Sequence, residues 1–290
     1  MGTRQLMSEH RIRLLCASLA ILTASVLSAC GQSPDLFTDS PDSHAAGETY
    51  DGPLYVPIKH AAPKPQRYGA AGMALHCTTN EGTTGASSAG STYDNGAVAD
   101  NPKDALRLAL GESQFDGARS NFRLAREEKT RALFTYDVGG HTRQAIVVHD
   151  GPTIAESGWY VESWARCDLS EFPGEVTERA GMQVWSDASG HRAPTTRVVS
   201  WKGPEHCDWQ DMTFLEMGKA TYVGAPEPDL SDFFAVPFRS DIPLPANAAD
   251  TGYHRGDQHL WLSPDKQRAY VGSRDHVEQW PRTIKQLGCA

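Results

Sequence analysis

The chain has 290 residues, enough for one large domain or two of ordinary size, and 39% of them are hydrophobic against 22% charged. This composition allows most of the chain to bury a core. The formal charge is −9, and because the first 29 residues hold three Arg and one Glu, the remainder is more acidic still. Such a charge argues against a nucleic-acid partner and against electrostatic attachment to anionic lipid.

The N-terminus has the pattern of a secretory signal. Arg4, Arg11 and Arg13 precede an uncharged apolar run, Leu14 to Ala29. As a helix this run spans roughly 24 Å, which is short for a membrane-crossing segment. A positive start, a short apolar stretch and small residues at its end predict that residues 1–29 are a cleaved signal peptide.

The end of this segment, Leu27-Ser28-Ala29-Cys30, resembles the lipobox of bacterial lipoproteins. The resemblance implies that the Cys30 thiol receives a diacylglyceryl group and becomes the first residue after cleavage. An ordinary cleaved signal with an incidental cysteine and an uncleaved anchor are the alternatives. Acyl chains on Cys30 would hold the protein on the outer face of the bacterial cell membrane, so the membrane is an expected partner.

Residues 30–67 are predicted to form a flexible tether, because they contain six prolines with Ser, Asp, Gly and Ala and few large apolar side chains before Tyr50. The patch Leu54-Tyr55-Val56 is expected to dock on the domain as an edge strand. The globular domain then covers residues 68–290, either as one body or as two β-rich subdomains, 68–175 and 176–290.

Four cysteines remain after the signal and Cys30 are set aside, namely Cys77, Cys167, Cys207 and Cys289. An even number in an exported chain indicates two disulfides. Three pairings are open, and we favour Cys77–Cys167 with Cys207–Cys289. His76-Cys77 and His206-Cys207 offer zinc-type ligands, but neither has a CxxC partner, so we expect disulfides, no metal site and no cofactor.

The predicted fold is α+β with mostly antiparallel strands: one N-terminal helix, a β-meander, then a second β-rich portion. Asp100-Asn101 can cap the helix, Pro102 suits its first turn and Gly111 can end it. Its expected apolar face is Ala105, Leu106, Leu108, Ala109 and Leu110. Alternating residues then predict the strands of the meander, with a hairpin turn at Gly139-Gly140 and a last strand at Gly158–Trp164.

The second portion contains further alternating runs, and a tight turn is expected at Gly218-Lys219. The section Ala225–Asp250 is rich in Pro and Asp and is expected to wrap the surface. The predicted strands are Met182–Ser186, Thr196–Trp201, Thr213–Met217, Ala220–Val223, His259–Leu262, Arg268–Gly272 and Val277–Trp280.

No catalytic motif is present: the run Gly85–Gly90 lacks the spacing of a serine nucleophile elbow and is interpreted as a loop. His206, Asp208 and Asp211 lie close together in sequence and could transfer protons, although a disulfide-pinned turn with Trp209 in the core explains the same run. Trp159 and Trp164 are five residues apart on one predicted strand, so strict alternation places them on opposite faces, and at least one is expected to be exposed, where it could bind a ligand, or to face a second layer. Burial of both in the core is the alternative.

Four stretches are similar to uncharacterised secreted lipoproteins of actinomycetes. They are Gly158–Cys167, Gly203–Trp209 and the closing residues Leu260–Asp265 with Val277–Arg282. The resemblance implies a location outside the cytoplasmic membrane and no catalytic residue.

Two functions are therefore expected. The first is a membrane-anchored binding or accessory module that recognises a cell-wall polymer or an envelope protein. The alternative is an envelope hydrolase with its site near His206–Asp211.

Overall fold

The structure is a computed structural model that describes residues 49–57, 66–87, 98–111, 117–153 and 156–288. The signal segment, Cys30, most of the tether and Cys289 lie outside these ranges. Three antiparallel sheets and a few short helices form the described chain, which confirms the predicted α+β, mostly antiparallel fold class. Among the described helices, none is both long enough and apolar enough to cross a bilayer.

The first sheet has five strands in the order β1-β5-β4-β3-β2. They are β1 (Thr84–Ser87), β2 (Arg123–Glu127), β3 (Arg131–Val138), β4 (His141–Pro152) and β5 (Ser157–Arg166). The predicted turn at Gly139-Gly140 joins β3 to β4, and both glycines have positive φ, as a two-residue hairpin requires. The prediction of a loop over Gly85–Gly90 was wrong at its start, because residues 85–87 belong to β1, which pairs with β5. The two strands are so close at Gly85 that a Cβ there would lie 2.4 Å from the Trp164 carbonyl oxygen.

Helix α2 (Pro102–Gly111) begins and ends where the sequence predicted. The Asn101 side chain accepts a hydrogen bond from the Asp104 amide at 3.0 Å and so caps the first turn. Ala105, Leu106 and Leu110 are buried, but Leu108 is 40% exposed and does not belong to the apolar face. Two short helices, α1 (Gly69–Met73) and α3 (Gly174–Arg179), were not predicted.

The first core lies around this sheet and includes a residue from the predicted tether. Leu54 is 1% exposed and packs with the side chains of the sheet and of α2. The Arg126 guanidinium donates to the Gly52 carbonyl oxygen at 2.9 Å. The segment 49–57 therefore docks on the domain, but it forms no strand; buried Leu54, with Tyr50 and Val56 packed beside it, and the hydrogen bond from Arg126 hold it instead of a β ladder.

The second and third sheets form the C-terminal portion. The second has the order β6-β7-β8-β9, and the third has the order β10-β14-β13-β12-β11. Their strands are β6 (Met182–Val184), β7 (Val198–Lys202), β8 (Thr213–Met217), β9 (Ala220–Gly224), β10 (Arg239–Ile242), β11 (Ala249–Arg255), β12 (Gln258–Leu262), β13 (Arg268–Gly272) and β14 (Val277–Pro281). The sequence missed β10, which lies within the section expected to wrap the surface, and β11, which starts at its end.

A second core forms where one face of the second sheet packs on the third sheet. Trp185, Leu215 and Tyr222 meet Leu260 and Trp280, and all five are nearly or fully buried. Trp185 donates its indole N–H to the Ser200 hydroxyl at 3.1 Å, which satisfies the one polar atom of a fully buried ring. The two β-rich portions thus have separate cores.

A disulfide closes the end of the first sheet. Cys77 and Cys167 are bonded, with their Cα atoms 5.3 Å apart, which confirms the first predicted pairing. Cys167 follows directly after β5 and is fully buried. Cys207 is also disulfide-bonded, and because Cys289 lies outside the described residues, the second pairing stays a prediction.

The residue after this disulfide joins the two portions through hydrogen bonds. The Asp168 carboxylate is fully buried and accepts bonds from the Ser170 amide at 2.9 Å and from the Thr195 amide and hydroxyl at 2.9 and 2.7 Å. Gly82 packs against it with φ +74°, where a Cβ would lie 1.8 Å from a carboxylate oxygen. The geometry requires a glycine at residue 82 and an acceptor at residue 168.

We expect Asp168→Ala to lower the free energy of unfolding by about 3 kcal/mol, because it leaves buried N–H and O–H donors without partners. Urea denaturation followed by circular dichroism measures this change. Asp275→Ala removes an exposed carboxylate and serves as the control, with an expected change within about 0.5 kcal/mol. Equal stability of the two variants would contradict the role of Asp168.

Candidate functional site

A groove of about 380 Å³ opens on the second sheet, beside its edge strand β6. The turn between α3 and β6 forms one wall, and strands β7 and β8 form the floor. The residues that line the groove are Ala180, Gly181, Met182, Thr195, Val199, Trp201, Lys202 and Glu216. A volume in this range is typical of sites for small molecules.

The alternation of β7 decides which side chains reach the groove. Val198 and Ser200 are fully buried on the side of the second core, so Val199 and Trp201 lie on the opposite face. On β8, Glu216 lies opposite Val199. The floor of the groove therefore combines an aliphatic side chain, an indole and a carboxylate on one face of the sheet.

Trp201 is held in place by two other aromatic rings. Its ring stacks on Phe214 with centroids 6.0 Å apart and an interplanar angle of 11°. Trp209 packs on Phe214 in turn, with centroids 6.0 Å apart. Because its partner ring is itself fixed, the half-buried Trp201 offers a pre-positioned flat apolar surface to a ligand.

Two exposed charged residues, Lys202 and Glu216, line the rim, but only the Glu216 side chain shares the face of Trp201, because Lys202 follows Val198 and Ser200 in the alternation of β7. The Thr195 hydroxyl also lines the groove, but it already donates to Asp168 at 2.7 Å. The lining contains neither a nucleophile paired with a base nor two facing carboxylates. The groove thus offers an aromatic surface with the Glu216 carboxylate, a hydrogen-bond acceptor, on the same face.

Trp159 and Trp164 do not lie on opposite faces as predicted. Val147 pairs with Ser163 but Val148 pairs with Val161, so Glu162 is an extra residue in a β-bulge. The bulge reverses the alternation and places both tryptophans on the same face of β5. Both are half-buried and pack against the first core, where they fill space between apolar side chains.

His206, Asp208 and Asp211 are all exposed on the surface turn before β8. Asp208 has a left-handed backbone with φ +58°, and among the described residues none of the three side chains makes a hydrogen bond or ion pair. Trp209 is half-buried beside Phe214. The predicted alternative, a disulfide-pinned turn, describes this run better than a site for proton transfer.

The thiols of the expected zinc-type pairs are not available as metal ligands. In the described part of the chain, Cys77, Cys167 and Glu171 place their ligand atoms within 4.8 Å of one another, but the two sulfurs are bonded to each other. Cys207 is disulfide-bonded as well. Disulfide sulfurs carry no thiolate, which is the form that binds zinc.

A polar cluster that the sequence did not predict lies where β4 ends and β5 begins. Arg131 binds Glu162 through two hydrogen bonds of 3.0 and 2.8 Å, and His149 Nδ1 lies 3.0 Å from the Tyr160 hydroxyl. Burial, followed by the positive Arg131, lowers the pKa of His149, whereas burial raises the pKa of Tyr160. The Glu162 carboxylate is occupied by Arg131, so the cluster stabilises the sheet and offers no open site.

Comparisons of the chain with protein-family models, with curated proteins and with solved structures found no match. The resemblance to actinomycete lipoproteins stays a prediction from the residues quoted above.

The lowered pKa of His149 predicts a loss of stability in acid. The unfolded chain binds a proton at His149 near the ordinary pKa of about 6.5, and the folded chain binds it more weakly, so the unfolded state gains as the pH falls below that value. We expect His149→Gln to show a smaller drop in melting temperature than the natural chain between pH 7.5 and 5.5.

The control is His206→Gln, which removes an exposed histidine and should keep the natural pH dependence. An unchanged pH profile in His149→Gln would show that His149 does not contribute to acid sensitivity.

Proposed function

We propose that the protein is an exported lipoprotein, held on the outer face of the bacterial cell membrane by acylated Cys30, whose β domain binds neutral sugar rings of an envelope polymer. The groove with Trp201 on its floor is the observation that carries the binding role. The membrane location rests on the sequence of the first 30 residues.

Export is supported by the chemistry of the cysteines. Disulfides persist outside the cytoplasm and are rare inside it, where thiols are kept reduced. The Cys77–Cys167 bond joins residues 90 positions apart and is therefore a constraint on the whole first portion. A buried bond of this kind agrees with a chain that folds after crossing the membrane.

The floor of the groove suits a sugar ring. The C–H face of a pyranose is apolar and flat, and it packs on an indole such as that of Trp201, while the Glu216 carboxylate on the same face can accept hydrogen bonds from ring hydroxyls. Met182 and Val199 complete the apolar lining. A peptide segment would use the same apolar surface and pair with the edge of β6, so its binding in place of a glycan is the competing outcome of the test.

The net negative charge of the chain favours neutral envelope polymers over anionic ones. With a formal charge of −9, the protein repels polyanions such as phosphate-containing wall polymers. Uncharged sugar units carry no such penalty. The ligand we propose is thus a neutral stretch of a wall glycan.

We expect Trp201→Ala to weaken binding at least ten-fold, because the aromatic platform is lost. The mature chain without its lipid would be titrated with soluble neutral wall oligosaccharides in a calorimeter and tested for retention on insoluble wall material. Trp201→Phe keeps a smaller platform and should bind with intermediate affinity.

Tyr55→Ala is the matched control, because Tyr55 is 56% exposed and lies outside the groove. Undiminished binding by Trp201→Ala, or no retention of the natural chain on any neutral glycan, would contradict the proposed ligand.

We expect Cys30→Ala to remain as a precursor or to be released from the membrane, since it lacks the thiol that would be acylated. Intact mass spectrometry and partitioning into detergent measure both outcomes. Cys16→Ala is the control: this cysteine lies in the signal segment and its loss should leave the anchor intact. A Cys30→Ala protein that is cleaved to the mature length and still stays in the membrane would contradict the lipid anchor.

A further inference from the structure

Two histidines face each other across the hairpin of β11 and β12. His254 and His259 are directly opposite in the register of this antiparallel pair. Their ring centroids are 5.9 Å apart, with an interplanar angle of 33°. His259 also lies beside Trp261, with centroids 5.6 Å apart, so the three rings form a short row on the third sheet.

The backbone hydrogen bonds show that His254 and His259 form a non-hydrogen-bonded pair, the type in which cross-strand side chains lie closest together. The N–H and C=O of His254 both bond to Ser186, at 2.9 and 2.8 Å, and therefore point away from β12. His254 and His259 are consequently a non-hydrogen-bonded pair, in which the Cα atoms lie about 4.5 Å apart and the side chains approach most closely. The bonds to Ser186 also hold His254 from its other side.

Both imidazoles are accessible and have no competing partner. His259 is exposed and His254 is half-buried. Within the described residues, no ring nitrogen of either histidine makes a hydrogen bond or an ion pair. The rings contact each other and Trp261, but among the described residues nothing engages their nitrogen lone pairs, which can therefore bind a ligand.

The distance suits one shared metal ion. With a metal–nitrogen bond of about 2.0 Å, two imidazoles on one ion have centroids roughly 4.5 to 6.3 Å apart, depending on the bond angle. The observed 5.9 Å lies within this range. Imidazole binds Cu²⁺, Ni²⁺ and Zn²⁺, and Cu²⁺ is bound most tightly by a given nitrogen site.

We propose that His254 and His259 form a two-imidazole site for a first-row transition metal ion, with Cu²⁺ bound most tightly. Water completes the coordination on the exposed side. The site departs from the expectation of no metal, which considered only histidines next to cysteines. It is separate from the groove at Trp201, which lies on another sheet.

The test uses the untagged full-length protein in detergent, titrated with CuSO₄. Bound Cu²⁺ quenches nearby tryptophan fluorescence, and Trp261 is the reporter in the row. We expect one high-affinity Cu²⁺ per chain, a saturable loss of fluorescence and an electron paramagnetic resonance spectrum with two nitrogen ligands.

His254→Gln and His259→Gln should each weaken Cu²⁺ binding at least ten-fold, and His206→Gln, which removes an exposed histidine elsewhere, should leave it unchanged. Circular dichroism checks the fold of each variant. Because His259 is exposed, His259→Gln should fold and report on Cu²⁺ binding even if His254→Gln does not fold. The site would be overturned if a folded His259→Gln variant bound Cu²⁺ as tightly as the natural chain, or if His206→Gln lost as much Cu²⁺ affinity. A resonance spectrum with fewer than two nitrogen ligands would overturn it as well.

Discussion

The corner at Cys167 and Asp168 fixes how the chain leaves its first sheet. Two adjacent residues carry two different constraints: Cys167 is bonded to Cys77, and the buried Asp168 carboxylate accepts from Ser170 and Thr195. The disulfide acts mainly by removing conformations from the unfolded chain. The carboxylate acts through the cost of leaving buried donors unpaired. Together they set the direction in which the second portion starts.

Both proposed sites depend on elements that this corner positions. Thr195 binds Asp168 and also lines the groove, and Val199 and Trp201 follow it on β7. The chain between Asp168 and Thr195 includes Ser186, whose backbone holds His254. A loosened corner would therefore disturb both the groove at Trp201 and, through Ser186 and β11, the histidine pair.

Local sequence patterns predicted local structure well. Pro102 and Gly111 bound their helix, and the turn at Gly218-Lys219 joins β8 and β9, because capping and turn conformations depend on a few neighbouring residues. The same reasoning failed for Trp159 and Trp164, since one extra residue at Glu162 reverses which face a side chain occupies. It also missed Trp201 as a site residue, because both Val198 and Val199 are apolar and the alternation does not say which face is the core.

Residue patterns alone predicted the fold class, the strand-and-turn order of most of the chain and the Cys77–Cys167 disulfide, and they also predict the export signal and the lipid anchor. These follow from short-range periodicity and from the chemistry of single residues. Tertiary structure decided that Leu54 docks in the core, that Trp201 faces a groove and that His254 meets His259. Each of these depends on register and on packing between distant segments, and a shift of one residue in a strand exchanges its buried and exposed faces.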